Sequence, residues 1–321
     1  MNNSSSPVNF SGNWFGVFLR GTAMGAADLV PGVSGGTIAF ISGIYERLIE
    51  AIANLDIAAI RLVFKGNVKG AWQHIDGTFL SVLGVGILTS IFALAHLIEH
   101  LVENQPILVW SFFSGLILAS IIFMLRRVWP NSFVAILYVV IGAILAFAIA
   151  QVRGAGLPVV TPFIFLGGFI AISAMLLPGV SGSFLLLMLG LYQPTLSAVT
   201  DFDLLYIATF GLGAASGFIV FSRVIRALLH SCHDQTILFL TGLLIGSLYT
   251  TWPWKLLDDA GLPTNALPSE IASMGGNVQL AGAVLSLLIG FVLVYAVTHF
   301  GIRAEGKMET KTETQEDAVS G

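Results

Sequence analysis

The stretch "LVPGVSGGTIAF", residues 29–40, places four helix-breaking residues inside an otherwise apolar run. Proline removes a backbone donor and glycine weakens a helix interior, so this stretch predicts a helix that stops and restarts. The sequence "LPGVSGSFLLLM" repeats the pattern at residues 177–188. Two copies of one break indicate a feature of the architecture rather than an isolated loop.

The composition of the whole chain is that of an integral membrane protein. Of its 321 residues, 56% are hydrophobic and 10% are charged, and the mean hydropathy is +0.89. Soluble domains carry about 25% charged residues. The net charge of −4 gives no support for a nucleic-acid partner, and the single cysteine excludes an intramolecular disulfide. No histidine stands beside either break and the sequence has no metal-binding motif, so we expect neither an enzyme nor a bound metal or cofactor.

Apolar runs between polar segments predict the membrane-spanning helices, because a bilayer core requires about 20 apolar helical residues. Six runs are close to that length: 77–99, 106–125, 131–150, 203–222, 236–253 and 277–300. Two further apolar regions, 13–55 and 162–200, each contain one break and are interpreted as helical hairpins that re-enter the membrane or cross it twice. We therefore expect one transmembrane domain over 13–303, with disordered segments at 1–12 and 304–321.

The distribution of basic residues predicts the orientation, since lysine and arginine collect on the cytoplasmic side. The 14 basic residues divide into eleven on one set of connections, two on the alternate set and Arg20 within a hairpin. The eleven are Arg47, Arg61, Lys65, Lys69, Arg126, Arg127, Arg223, Arg226, Arg303, Lys307 and Lys311. Only Arg153 and Lys255 lie on the other side, so both termini are expected in the cytoplasm.

The chain also contains an internal duplication. A shift of 147 residues superposes 31–35 on 178–182 and Asp56 on Asp203, and a shift of 127 superposes "SGLILAS" at 114–120 on "TGLLIGS" at 241–247. Each half, about 13–150 and 160–300, then holds one hairpin and three spans, an odd number of crossings. This predicts an all-α membrane protein with an inverted-topology repeat, typical of secondary transporters, whose hairpin tips meet near the midplane.

Each hairpin tip is a candidate anion-binding site, because the free N–H groups at a helix start and its positive dipole end attract anions. The candidate phosphate-binding residues are Arg20, Ser34, Gly35, Gly36, Thr37, Ser181, Gly182 and Ser183. The alternative is that these small residues only allow tight packing, as expected for Gly213, Gly217, Gly242 and Gly246. The duplication of the element favours the binding site.

Charged residues occur in the first hairpin and not in 162–200. Arg20 and Asp28 are eight residues apart, so both are expected on one helix face, looking into one cavity, with the arginine fork binding two phosphate oxygens. Asp28 and Glu46 are candidates for coupling by a proton or a sodium ion, and Arg47 for gating. The alternatives are a salt bridge within the hairpin and an interfacial position for Arg47. Arg153 either recruits an anion from outside or snorkels to the interface.

Three segments carry a resemblance to a known family: "MGAADLVPGVSGGTIAFISGIYERLIEAI" at 24–52, "LPGVSGSFLLLMLGLY" at 177–192 and "GLLIGSLYTTWP" at 242–253. They resemble the bacterial PopT family of polyprenyl-phosphate transporters, over about 14–303. The resemblance implies that the chain moves undecaprenyl phosphate, the carrier lipid of envelope glycans, from the outer to the inner leaflet of the cytoplasmic membrane for reuse. The motif positions are Asp28, Pro31 to Thr37, Tyr45, Glu46 and Pro178 to Ser183.

Two other functions remain open at this point. A transporter of small soluble anions would use the same hairpins but enclose its substrate. A lipid phosphatase would require a nucleophile or a metal and would release inorganic phosphate. For each of these functions we expect membrane lipids to surround the protein.

Overall fold

The computed structural model describes residues 14–30, 33–151, 157–257 and 263–296. Within these ranges the chain is mostly helical, with one two-stranded antiparallel sheet. Several residues discussed above lie outside the described residues: Pro31, Gly32, Arg153, Arg303, Lys307 and Lys311. The segments 1–12 and 304–321 also lie outside them.

The first half, 14–151, consists of a broken helical hairpin, two short helices and three long helices. Its elements are α1 (Trp14–Asp28), α2 (Gly35–Ile41), α3 (Tyr45–Ala53), α4 (Ile57–Phe64), α5 (Val68–His74), α6 (Gly77–Asn104), α7 (Pro106–Arg127) and α8 (Phe133–Gln151).

The second half, 157–296, also begins with a broken hairpin and continues into three apolar helices. Its elements are α9 (Thr161–Leu176), α10 (Gly182–Met188), α11 (Tyr192–Thr200), α12 (Leu204–Ser231), α13 (His233–Ser247), β1 (Lys255–Leu257), β2 (Pro263–Asn265), α14 (Pro268–Ser273) and α15 (Leu280–Ala296). The sheet and α14 separate the last two apolar helices.

Four of the described helices are long and apolar enough to cross a membrane: Gly77–Leu94, Pro106–Arg126, Phe133–Gln151 and Leu204–Ser231. They correspond to four of the six predicted spans. The fifth predicted span, 236–253, is shorter in the structure, because α13 ends at Ser247 and turns follow. The apolar run in the sequence is therefore longer than the helix that it contains.

Both predicted breaks separate two helices, α1 from α2 and α9 from α10. The residue before each restarting helix is a serine in extended backbone, with φ of −125° at Ser34 and −100° at Ser181. Each serine oxygen accepts a hydrogen bond from its own helix, from Gly36 N–H at 3.1 Å and from Phe184 N–H at 3.4 Å. Serine is a preferred N-cap because it satisfies a donor that the first turn leaves unpaired.

Glycines bring α1 and α6 into close contact. A Cβ at Gly21 would collide with the carbonyl oxygen of Leu83. A Cβ at Gly86 would likewise collide with the carbonyl oxygen of Phe18. Such contacts allow two backbones to approach closely, as is common between helices in membranes.

The second half repeats these contacts between α9 and α12. The equivalent pairs are Gly168 with the Phe210 carbonyl and Gly213 with the Phe165 carbonyl. The α9 residues lie 147 positions after their α1 counterparts, and the α12 residues lie 127 positions after those of α6. The two sequence offsets therefore reappear as equivalent contacts, and the packing role predicted for Gly213 is confirmed.

The last helix of each half packs against a helix of the other half. Gly142 of α8 abuts the Phe239 carbonyl of α13, and Gly242 of α13 abuts the Val139 carbonyl of α8. In the same way, α7 and α15 meet through Gly115 and the Leu287 carbonyl, and through Gly290 and the Phe112 carbonyl. The halves are thus joined by two matching helix pairs.

Gly86→Ala and Gly213→Ala are expected to destabilise the protein by about 1–3 kcal/mol each, because a methyl group would force the paired helices apart. The chain supplies a matched control in each helix, since a Cβ at Gly84 or Gly211 would meet no atom within 4 Å. Gly84→Ala and Gly211→Ala should leave stability unchanged or raise it slightly through helix propensity. Thermal unfolding in detergent measures both pairs, and equal melting temperatures within a pair would contradict the contact argument.

Candidate functional site

The tips of the two broken hairpins are in direct contact. Ser34 Oγ donates a hydrogen bond to the Met175 carbonyl at 3.0 Å, and Gly179 N–H donates one to Thr37 Oγ1 at 2.9 Å. Ser34 and Thr37 are each only 2% exposed. Two of the predicted site residues therefore bind the opposite hairpin.

The first tip already holds an anionic group. Gly35 N–H donates to Asp28 Oδ1 at 2.6 Å, and Gly36 N–H donates to Ser34 Oγ. The donors expected to be free for a substrate anion at this helix start are therefore satisfied from within the protein. A carboxylate stands where a phosphate was predicted, so an incoming anion must displace Asp28 to reach Gly35.

The second tip contains no charged residue. Ser181 Oγ lies 3.0 Å from Ser183 Oγ, and Ser181 is buried whereas Ser183 is partly exposed. A Cβ at Gly182 would collide with the Ala171 carbonyl, and one at Gly36 would collide with the Met175 carbonyl. Gly182 and Gly36 thus have the packing role that was the alternative to anion binding, while the serine hydroxyls are polar groups at the tip.

Arg20 and Asp28 contact the same short helix from one face of α1. Asp28 accepts a hydrogen bond at the start of α2, and Arg20 Nε donates to the Ser42 carbonyl at its end, at 3.3 Å. Seven helical residues, about 10 Å, separate those two ends. The shared face is as predicted, but the two charges stand at opposite ends of α2, each with the sign that complements the helix dipole there.

The remaining predicted charges lie far along the hairpin, at the end carrying the predicted cytoplasmic connections. Arg47 Nε donates to Asp76 Oδ2 at 2.6 Å, and its guanidinium lies 4.3 Å from the centre of the Phe79 ring. Glu46 Oε1 lies 3.1 Å from His233 Nε2. Arg47 is therefore built into an ion pair between α3 and the residue before α6, and the sequence offered no signal for Asp76 as its partner.

A polar cluster joins α3 of the first half to α12 and α13 of the second. Arg226 Nη1 donates to Asn54 Oδ1 at 2.8 Å, and Glu50 contacts both Arg226 and His230. With the contact between Glu46 and His233, these groups form what we call the interhalf cluster, defined as Glu46, Glu50, Asn54, Arg226, His230 and His233. Sequence reasoning missed it because its contacts join residues that are 172 to 187 positions apart.

A small cleft of about 60 Å³ adjoins this cluster, lined by Tyr45, Glu46 and His233 together with apolar side chains. The Tyr45 hydroxyl is buried and has no hydrogen-bond partner among the described residues. A larger cleft of about 480 Å³ lies at the other end of α13, lined by Tyr249 and Trp252 with the segment after β2. In the described ranges, no three histidine, cysteine or acidic side chains are grouped to hold a metal ion.

Lys255, one of the two basic residues predicted outside, is fixed beside the larger cleft. Its Nζ donates to the Thr250 carbonyl at 2.9 Å and to Asn265 Oδ1 at 3.2 Å, and it lies 5.3 Å from the centre of the Trp110 ring. Burial lowers the pKa of Lys255 to about 8. The loop that contains β1 and β2 therefore fixes the position of the Lys255 ammonium group.

The contribution of His233 to stability should depend on pH. His233 stands just before the apolar run 236–253. Burial lowers its pKa, but the hydrogen bonds and charges of Asp234 and Glu46 raise it by more, so the pKa lies above its usual value. A raised histidine pKa stabilises the folded state fully below the unfolded pKa of about 6.5, and this stabilisation is lost as pH rises through the folded pKa.

His233→Gln is therefore expected to lower the melting temperature at pH 5.5 and to have little effect at pH 8.5. The loss should be below about 1 kcal/mol, because the side chain is partly exposed and solvent screens the pair. His100→Gln, at an exposed histidine that bonds only within α6, serves as the control. An equal loss at both pH values would show that the imidazole acts through packing alone.

Comparisons with known proteins agree with one another. The model of the VCA0040-like, undecaprenyl phosphate translocase-like family matches residues 24–266. A polyprenyl-phosphate transporter of Vibrio cholerae is 44% identical over 243 residues, which cover 76% of this chain and 79% of the relative. A polyprenyl-phosphate transporter of Staphylococcus aureus is 32% identical over 295 residues, covering 86% and 96%. No solved structure matches the chain.

Proposed function

The chain belongs to the undecaprenyl phosphate translocase-like family, and from that membership we propose that it carries undecaprenyl phosphate from the outer to the cytoplasmic leaflet of the bacterial cytoplasmic membrane. The relatives are named as transporters of polyprenyl phosphate, not as enzymes. Returning the carrier lipid in this direction allows its reuse in envelope glycan synthesis.

The observation that carries this proposal is the contact between the two hairpin tips. Two half-helices with serine caps meet through Ser34 and Met175 and through Thr37 and Gly179. In secondary transporters, binding sites form where discontinuous helices of two repeats meet at the membrane midplane. The equivalent glycine contacts of the two halves support an inverted-topology repeat, in which the tips are approached from opposite leaflets with both termini in the cytoplasm.

Binding of the phosphate head at this site is an exchange of anions. The phosphate takes the position of the Asp28 carboxylate at Gly35 N–H. The hydroxyls of Ser34, Ser181 and Ser183 turn from their present partners, the Met175 carbonyl for Ser34 and each other for Ser181 and Ser183, and donate to the phosphate oxygens. One negative group replaces another at the positive end of α2, which avoids leaving the helix start without a counter-charge. The prenyl tail stays in the surrounding lipid. Asp28, once displaced, is the group that carries a proton or contacts a sodium ion.

The test is transbilayer movement of undecaprenyl phosphate in proteoliposomes, with and without a pH or sodium gradient, while released phosphate is measured in the same sample. Movement without phosphate release is the expected result. Phosphate release would indicate a phosphatase. Absence of movement in folded protein that takes up a soluble anion would favour a secondary transporter of small anions with the same hairpins.

Arg20→Ala is expected to reduce transport at least about tenfold, because it removes one charge-assisted hydrogen bond of the Arg20 guanidinium. The variant protein should still reach the membrane. Arg20→Lys separates two roles. Lysine retains the charge at the end of α2 but lacks the planar fork, so a phosphate clamp requires the variant to fail, whereas a role in holding Ser42 allows partial rescue. Normal transport by Arg20→Ala would show that transport requires neither role of Arg20.

A further inference from the structure

The helices α4 and α5 form a two-helix finger that has no counterpart in the second half. Asp56 and Asp203 correspond at the 147-residue offset, and each caps the following helix, through Ala59 N–H at 2.9 Å and Tyr206 N–H at 3.1 Å. In the second half that helix is the long α12, whereas in the first half it is the short α4. The offset falls from 147 to 127 across this point, so the first half contains twenty additional residues, 57–76.

The finger exposes a continuous apolar stripe. On α4, Ile57, Ile60 and Phe64 are 66%, 55% and 87% exposed, at the spacing of one helix face. On α5, Val68 and Trp72 are exposed four residues apart. The inward side of the finger is formed by small buried residues, Ala59 on α4 and Ala71 on α5. The α4 part of the stripe therefore faces away from the rest of the protein. On α5, the half-exposed Trp72 ring also lies against Gly77, and its Nε1 donates to Thr78 Oγ1 at 3.0 Å.

The finger is too short to cross a membrane and is closed at its base. Its helices of eight and seven residues are about 12 and 10 Å long, against a bilayer core of about 30 Å. His74 Nε2 lies 3.2 Å from Asp56 Oδ1, and Asn54 Nδ2 donates to the His74 carbonyl at 3.0 Å. The stripe is thus presented by a compact unit fixed to the end of α3.

The charges of the finger favour an anionic partner. Arg61, Lys65 and Lys69 are exposed, and 57–75 contains no acidic residue. An apolar face bordered by basic residues is typical of segments that lie in the interface of an anionic membrane. A second copy of the chain would bring like charges together. Two helices of this length also offer much less surface than the roughly 1,600 Å² buried in a stable protein interface.

We propose that the finger is an interfacial anchor on the cytoplasmic leaflet. Its apolar stripe lies among the acyl chains, and Arg61, Lys65 and Lys69 contact the phosphate groups of anionic lipids. The base contact between Asn54 and His74 then fixes the depth of α3, and with it the first hairpin, relative to the lipid. This inference depends on the chain being a membrane protein and is independent of the transported substrate.

Spin-label accessibility tests the proposal in the full-length protein. The exposed Cys232 is replaced by serine, and a nitroxide is attached to Phe64→Cys or, as the matched control, to Ala58→Cys. Ala58 is exposed on the same helix but aligned with Arg61 and Lys65. The protein is reconstituted in vesicles of phosphatidylethanolamine and phosphatidylglycerol. Two paramagnetic reagents then report the position of the nitroxide, because each speeds its relaxation by collision. Oxygen concentrates in the bilayer, and a neutral nickel chelate stays in water.

The label at position 64 is expected to be relaxed by oxygen and protected from nickel, and the label at position 58 is expected to show several-fold greater nickel accessibility. Nickel accessibility at position 64 as high as at 58 would place the stripe in water and overturn the anchor. Protection of position 64 from both reagents would indicate a covering protein and would overturn it equally.

The basic residues are tested by adding Arg61→Gln, Lys65→Gln and Lys69→Gln to the position-64 label. In phosphatidylglycerol vesicles the label should become more accessible to nickel, whereas in phosphatidylcholine vesicles the substitutions should have no effect. The same accessibility in both vesicle types, with or without the substitutions, would remove anionic lipid from the proposal.

Discussion

Asp28→Asn is expected to lower the transport rate of undecaprenyl phosphate about tenfold and to remove any dependence on a pH or sodium gradient. The amide oxygen retains the shape of the side chain and still accepts the hydrogen bond of Gly35 N–H, so the hairpin tip should remain folded. What is lost is the negative charge that returns to Gly35 N–H and displaces the bound phosphate. The neutral hydrogen bond that the amide makes is weaker by about 1.4 kcal/mol, so the phosphate should be released about tenfold more slowly. Initial rates in proteoliposomes, with and without the gradient, measure both effects.

The control for Asp28→Asn is Asp234→Asn, which removes an exposed carboxylate in the first turn of α13. Its transport rate and gradient response should equal those of the unsubstituted protein. If Asp28→Asn is slow but the unsubstituted protein shows no gradient response, the carboxylate exchanges with the phosphate without coupling. A normal rate in Asp28→Asn would contradict the exchange itself.

Combining Ser34→Ala with Ser181→Ala is expected to reduce transport about 100-fold. The pair removes the caps of α2 and α10, about 1 kcal/mol each, and the bond from Ser34 to the Met175 carbonyl across the tips. It also removes two hydroxyl donors from the proposed phosphate site, each at a cost of about 1.5 kcal/mol when the acceptor is charged. Transport is measured at matched protein density in the vesicles.

Ser173→Ala is the matched control for the serine pair. Ser173 is also buried, but among the described residues its hydroxyl bonds to the Phe169 carbonyl alone, one turn earlier in α9. It should transport normally. A double variant that transports as well as Ser173→Ala would show that the tip serines are structural caps without contact to the substrate.

The helix breaks and the duplication could be predicted because they depend on local rules. Proline and glycine stop a helix whatever surrounds them, and a serine at the restart satisfies a donor within two or three residues. The close glycine contacts could also be predicted from the sequence, because Gly21 and Gly168 are separated by the same 147 residues as the two copies of the broken motif. The predicted meeting of the hairpin tips followed from the same symmetry.

The partners of the charged residues could not be predicted, because they depend on how separate elements pack. Asp28 contacts Gly35 only because the chain turns back within seven residues. Glu46 and His233 are 187 positions apart and meet where α3 packs beside the start of α13. A sequence pattern reveals which residues share a helix face, but not which element covers that face.

The last helix of each half packs against a helix of the other half, and this arrangement also constrains biogenesis. Gly115 of α7 packs against the Leu287 carbonyl of α15, so its partner is synthesised roughly 10 to 35 s later at 5–20 residues per second. Until then the surface of α7 around Gly115 lacks this partner. A chain stopped at residue 151 would lack α15 and α13, the helices that α7 and α8 contact through their glycines. Quality-control proteases that act on unassembled membrane helices therefore have a time window set by translation.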